Sequence, residues 1–424
     1  MLRLAIFIAA LSCVSPSLFA ENAAEILDPN APVPEKKSPV VPGPAGTVDE
    51  PGFKASVRVP NQQPSPNFDL GTKNTNQIAV PKNKAWSVPL EEGFAGRTNP
   101  SDAASEAASA DKNQAVAENI SPALANAIAR EKAGSKPAEM IPVYRAIVNS
   151  EKENAAPHYR LGLALVHAGE LQNGLVELET VISMQPKNPR YLCDFGIAAL
   201  RAGWVEKAFA ACQAAVSVSP NTARYHSALG DVHLAAQHIP EAVEAYTRAV
   251  KLDPDNSVYF YNLGLAYMHG REFKRATELF EEAIRIKPTS STYFCSLGLA
   301  CENLKNIKRA MEYYLAAIKL DKTNAYAHYL YAGIFSDPDD PTYTNRFEAV
   351  EHAEKAVKLT NYKNALYLMG LARALRVAHN YEQATDIAKK AVELEPSRAD
   401  YRKELAEFEE GKMQGLGKEV KGSK

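Results

Sequence analysis

The sequence predicts an all-α solenoid of stacked helix pairs, and three observations carry that expectation. First, glycine recurs every 34 residues, at Gly162, Gly196, Gly230, Gly264 and Gly298. Each lies mid-way along an apolar, helix-patterned segment, where glycine costs about 1 kcal/mol relative to alanine. A repeated need for two helices to approach closely accounts for that cost. Second, twelve residues on comes a small residue: Gly174, Ala208, Ala242, Ala276 and Ala310. Four further on is an apolar slot, mostly large: Leu178, Cys212, Tyr246, Phe280 and Tyr314. Third, proline closes four units, at Pro186, Pro220, Pro254 and Pro288. Small residues let helices meet, large ones fill the holes between neighbours, and proline stops the second helix.

The N-terminus comes first in the chain and differs in kind. Arg3, the apolar run Leu4 to Leu11 and the small-residue end Ser17-Leu18-Phe19-Ala20 have the order of a signal peptide, residues 1–20, cleaved after Ala20. The apolar run is too short to anchor the chain in a membrane. The protein is therefore expected to be exported, to a periplasmic or extracellular space. A rival reading places a lipid on Cys13 after Ala10-Leu11-Ser12, but alanine fits the first position of such a box poorly.

Residues 21–120 hold thirteen of the 27 prolines, from Pro29 to Pro100, and end in the Ala/Ser-rich run Ser101 to Ala110. With few large apolar residues no core offsets the ordering entropy, so a disordered linker is expected. Two less polar patches, Asn67 to Leu70 and Ala85 to Phe94 with Trp86, are read as incidental composition in preference to docking motifs.

The repeat array occupies residues 121–398, as about eight units. A first pair is expected from the helix Ser121 to Lys132, with Ser121 as cap and Pro122 in the first turn. Its second helix carries Tyr144 in the large slot. Regular units run 155–188, 189–222, 223–256, 257–290 and 291–324, so the pattern is strongest over 155–324. A sixth, 325–362, has Ala332 in place of the glycine and an insertion around Asp337-Pro338-Asp339-Asp340-Pro341. A seventh, 363–398, is read with Gly370 as its periodic glycine, then Ala384, Ala391 and Pro396. A polar capping helix is expected at 399–410, as solenoid ends require, and a disordered tail at 411–424.

With the glycine as position 8, position 7 reads Leu161, Phe195, Leu229, Leu263 and Leu297. Together with the small residue at position 20 and proline at position 32, this resembles the tetratricopeptide repeat (TPR) family, whose pattern runs L-G-x-x-Y, A-x-x-x-F, P. The resemblance spans residues 121–410 and implies a right-handed TPR superhelix. Position 4, usually tryptophan in the family, departs: it reads His158, Leu192, His226, Phe260, Phe294 and His328.

Charge and motifs exclude several functions. Lys+Arg 48 against Asp+Glu 50 leaves a net charge of -2, with no basic excess to hold nucleic acid. After the signal peptide no apolar run is long enough to span a bilayer. His226, His233 and His238 look like a ligand cluster, yet the first two occupy large packing slots, so no metal site is assigned. The acidic insertion lacks the spacing of a calcium loop. No nucleophile elbow, phosphate-cradling loop or dinucleotide fingerprint is present, so neither enzyme activity nor a cofactor is expected. Of the five cysteines, Cys193, Cys212, Cys295 and Cys301 lie beyond the signal peptide. Six residues on one helix separate Cys295 from Cys301 by about 9 Å, beyond disulfide reach, and Cys212 and Cys301 fall at packing positions, so free thiols are expected.

The remaining surface is the concave face, which in the TPR family is lined by first-helix positions 2, 5, 9, 12 and 13. Positions 5 and 9 supply the expected groove: Tyr159, Leu163, Ile197, Tyr261, Leu265, Leu299, Tyr329 and Tyr367. No unit carries the Lys and Asn pair with which the chaperone-binding branch clamps a C-terminal carboxylate. The stripe is mixed apolar and tyrosine, suited to a peptide or protein partner, with tyrosine as anchor. The competing account makes the same rings packing between helices. The expected function is an exported, non-catalytic scaffold; the alternatives are a self-assembly module, or an accessory subunit of an envelope-bound enzyme or secretion machine.

Overall fold

The computed structural model describes residues 120–336 and 345–422, with side chains as far as Gly411. The expected signal peptide, residues 21–119 of the expected linker and the Asp337 to Pro341 insertion lie outside the described residues. The described residues form helices without strands and divide into two compact units at Pro254.

Among the described residues the first unit holds eight helices: α1 (Pro122–Lys132), α2 (Pro137–Ser150), α3 (Ala155–His167), α4 (Leu171–Met184), α5 (Pro189–Arg201), α6 (Val205–Val218), α7 (Ala223–Ala235) and α8 (Ile239–Leu252). The second holds nine: α9 (Ser257–His269), α10 (Phe273–Ile286), α11 (Ser291–Asn303), α12 (Ile307–Leu320), α13 (Ala325–Phe335), α14 (Arg346–Leu359), α15 (Ala365–Val377), α16 (Tyr381–Leu394) and α17 (Ala399–Gly422). Within each unit the helices pair antiparallel as first and second members, and each pair packs on the next. The fold is an α-solenoid.

Local chemistry sets these boundaries. Ser121 caps α1, its hydroxyl accepting from the Leu124 N–H at 3.2 Å. Asparagine then caps most first helices: Asn154, Asn188, Asn256, Asn324 and Asn364 each accept from a first-turn amide, satisfying a donor the helix leaves open. Second helices end at Gln185, Ser219, Asp253 and Lys287, each directly before one of the periodic prolines. The turn inside each pair needs a left-handed residue. Gly169 and Gly203 supply it without strain, while Gln237, Arg271, Lys305 and His379 adopt φ of 59° to 62° at the equivalent place.

Close approach at position 8 is direct. A Cβ on Gly298 would stand 2.5 Å from the Tyr314 ring, one on Gly264 2.6 Å from Phe280, and one on Gly230 2.7 Å from Tyr246. Gly162 faces Leu178 in the same way, and Gly196 the sulfur of Cys212. The glycine and the large residue at position 24 form one fitted contact across the pair.

Two boundaries differ from the sequence expectation. The last full pair begins at Ala365 and α17 at Ala399, so the unit is 34 residues long (399 − 365) and its position 8 is Ala372, not Gly370. Gly370 instead faces the preceding first helix, where its Cβ would meet the Tyr329 ring at 2.8 Å. The sixth unit accordingly runs 325–364, and the last pair begins two positions later than expected. Where alanine fills position 8, at Ala332 and Ala372, position 24 shrinks to Ala353 and Ala388, so the added methyl group meets a small residue and not a ring. The other difference is at the end: the helix expected to stop at Glu410 continues to Gly422. Three glycines at 411, 415 and 417 weaken that stretch, but no proline interrupts it.

Candidate functional site

Successive first helices touch one another, α5 with α7 in the first unit and α9 with α11, α11 with α13 and α13 with α15 in the second. That contact decides what happens to position 5. The next first helix covers it, and a side chain there becomes packing. In the first unit Tyr159 is 1% exposed. Its ring lies 4.7 Å from that of Tyr191 and 5.3 Å from the Arg190 guanidinium. Its hydroxyl donates to Asp194 Oδ2 at 2.5 Å, and burial with the neighbouring carboxylate pushes its pKa well above the ordinary tyrosine value. Asp194 also takes an ion pair from Arg224 of α7. One buried carboxylate thus ties three consecutive first helices together, and breaking it would leave a charge uncompensated.

In the second unit the pattern repeats. Tyr261 stacks on Tyr293 of α11 at 4.8 Å, with Phe280 at 5.6 Å, and its hydroxyl accepts from Ser296 Oγ at 3.3 Å. Tyr329 lies 5.3 Å from Tyr367 of α15. Tyr261, Tyr329 and Tyr367 are all buried, as are Leu265 and Leu299. The expectation that these tyrosines project as accessible anchors is therefore corrected: the rings fill the seam between neighbouring first helices. Tyr367 is corrected twice, since the shifted register puts it at position 3 of its helix and gives position 5 to the fully buried Met369.

Leu163 and Ile197, at position 9, are the expected groove residues that stay half-exposed. Polar and charged side chains accompany them in the first unit: Arg190 and Arg224 at position 2, and His167 and Arg201 at position 13, all half-buried. Asp231 of α7 accepts from the Tyr246 hydroxyl at 2.5 Å. Burial holds the His167 and Arg201 pKa values below their ordinary ranges, and Arg201 adds to the lowering at His167. Sequence reasoning missed these side chains because it tracked positions 5 and 9 alone.

The position-4 histidines have a structural role. Nε2 of His158, His226 and His328 each reaches the carbonyl of the residue six places before it, Lys152, Pro220 and Lys322, at 3.2, 2.8 and 3.3 Å. Each ring donates to the turn entering its helix, a job that suits an imidazole at a slot otherwise filled by a large apolar side chain. His233 lies against Phe209 and His238, at centroid distances of 5.4 and 6.1 Å. Among the described residues no three His, Cys, Asp or Glu side chains gather as metal ligands. Cys193, Cys212, Cys295 and Cys301 are buried free thiols, and no described helix is long and apolar enough to cross a membrane.

Known proteins share this architecture. Tetratricopeptide repeat family models match residues 227–291 and 291–324. No curated protein matches the chain. Among solved structures, yeast Tom70 is similar with a TM-score of 0.54 at 16% identity, over 72% of this chain and 66% of that one. The Cut9–Hcn1 structure of the APC/C gives 0.49 at 14% identity, over 72% and 58%. PilF of Pseudomonas aeruginosa gives 0.43 at 21% identity, over 52% and 97%. This chain spans about two thirds of the Tom70 chain, and at that identity the likeness concerns the fold alone. Residues 227–324 thus match the tetratricopeptide repeat family directly, and the flanking pairs carry the same paired-helix architecture.

Proposed function

We propose that this chain is a non-catalytic, exported scaffold that holds a peptide or protein partner against the first-helix face of its repeats. A solenoid of this family offers extended surface for protein–protein contact, and its foldable length is taken up by repeats. The observation that carries the reading is the half-exposed line of Leu163 and Ile197, flanked by the arginines of α5 and α7. Aliphatic side chains at one helical position on successive helices take alternate side chains of an extended peptide, and the flanking charges set its register. Export is proposed from the charged, apolar and small-residue order of residues 1–20.

The test uses the mature chain, residues 21–424, to capture partners from the periplasmic or secreted fraction of its host. Binding of each captured protein is then measured against Leu163→Asp and Ile197→Asp. Loss of at least tenfold in affinity with unchanged circular dichroism supports the face. Wild-type affinity in both variants refutes it.

A further inference from the structure

Leu163 on α3 and Ile197 on α5 pack on the apolar core of the first unit, yet both stay half-exposed. Their helices are neighbours: the Tyr159 ring of α3 lies 4.7 Å from the Tyr191 ring of α5. The chain enters the array close to this face. Ile120, 48% exposed, leads into the Ser121 cap of α1, and α2 packs directly on α3. With neighbouring helices about 8–10 Å apart, the point where residues 21–119 join the array lies roughly 20 Å from α5.

Residues 21–119 carry a single tryptophan, Trp86, with Val88 and Leu90 at every second place after it. In an extended chain these three side chains share one face, and Trp86 and Leu90 stand about 13 Å apart. Pro89 fixes its own φ and steers Val88 away from the helical region, so this stretch favours the extended form. A chain running obliquely across α3 and α5 sets such a pair on Leu163 and Ile197. Trp86 precedes Ile120 by 34 residues (120 − 86), and a flexible linker of that length spans about 30 Å. A tether of this kind holds the segment at an effective concentration on the order of millimolar, so modest apolar contact suffices to seat it. Read alone, the Trp86 patch is incidental composition; the half-exposed pair within its reach gives it a counterpart. We propose that residues 85–94 dock on the Leu163–Ile197 face of their own first unit, so that a partner must displace them. The inference rests on the groove reading and names the occupant of the free chain.

The sequence has two tryptophans, Trp86 and Trp204, so Trp204→Phe leaves Trp86 as the sole reporter. In this variant of the chain 21–424, Trp86 emission should be blue-shifted against the urea-unfolded chain and at least threefold less quenched by acrylamide. Both properties should persist on tenfold dilution, as contact within one chain requires. Adding Ile197→Asp, or separately Leu163→Asp, should raise the quenching at least threefold while circular dichroism stays unchanged. Trp86 quenched as in urea while the array stays folded overturns the proposal and leaves the groove reading to the captured-partner test. Shielding that survives both Asp substitutions seats the segment elsewhere and overturns it too. Shielding lost on dilution assigns the face to a second copy of the chain instead. If both substitutions release Trp86 but leave the affinity of every captured partner unchanged, the docking stands and the groove reading fails.

Discussion

The imidazoles of His328 on α13 and His352 on α14 meet nitrogen to nitrogen, with their Nδ1 atoms 2.9 Å apart. Nε2 of His328 donates to the Lys322 carbonyl, so its Nδ1 accepts and His352 must donate. A proton arriving at His328 enters at Nδ1 and abolishes that bond. Both groups are held below the usual histidine value: His328 chiefly by burial, and His352 to about 4 by burial and by His328 beside it. Lys355 disfavours the charge at both, while Glu351 opposes.

Stability should therefore depend on this pair under mild acid. Between pH ~6.5 and ~4 the unfolded chain binds more protons than the folded one. The contribution is complete above pH ~6.5 and is lost as pH falls toward 4. Stability from urea unfolding at pH 7.5 and 5.0 should differ by about 1–2 kcal/mol, a figure discounted for solvent screening of the half-buried His352. His352→Gln should reduce the difference. An equal acid response in wild type and variant contradicts the assignment.

Position 8 should tolerate a methyl group only where position 24 is small. Gly298→Ala drives a carbon into the Tyr314 ring and should cost about 1–3 kcal/mol by chemical denaturation. Pairing it with Tyr314→Ala should not restore stability fully, since Tyr314 also donates to Glu302 at 2.8 Å. A neutral Gly298→Ala would mean that the helices part at no cost.

The left-handed residues Arg271 and Lys305, at φ of 59° and 62°, should be stabilised by glycine. Lys305→Gly, at the turn between α11 and α12, is expected to raise stability by about 0.5–1 kcal/mol, because the side chain's clash with its own backbone is relieved. Unchanged or lower thermal stability counts against that strain.

Cys193, Cys212, Cys295 and Cys301 should count as four thiols after denaturation without reductant, and react slowly in the native state. All four are buried, and burial raises the pKa of Cys212, and that of Cys301 to about 11, so little thiolate forms at neutral pH. A count of two or none would require a pairing that the fold does not bring about.

The period of 34, the Gly–large contact at positions 8 and 24 and the closing prolines were readable in the sequence because each reflects a contact inside one helix pair. Tyr144 in the large slot of the first pair was found the same way, and is fully buried. Features that depend on contacts between pairs were not readable. Tyr261 and Tyr329 look identical in sequence whether displayed or covered, and only the approach of α11 and α15 buries them. The two-position shift at Ala365 escaped because Gly370 mimics the periodic glycine while packing on Tyr329 instead.

Tyr261→Ala and Ile197→Asp, compared in one experiment for both melting temperature and affinity for a captured partner, test the scaffold account most directly. The account predicts that Tyr261→Ala loses about 3–5 kcal/mol of stability, as for a buried aromatic, yet binds normally in its folded fraction. Ile197→Asp should melt within a few degrees of wild type and lose at least tenfold in affinity. Weakened binding by folded Tyr261→Ala, together with unchanged binding by Ile197→Asp, would contradict it.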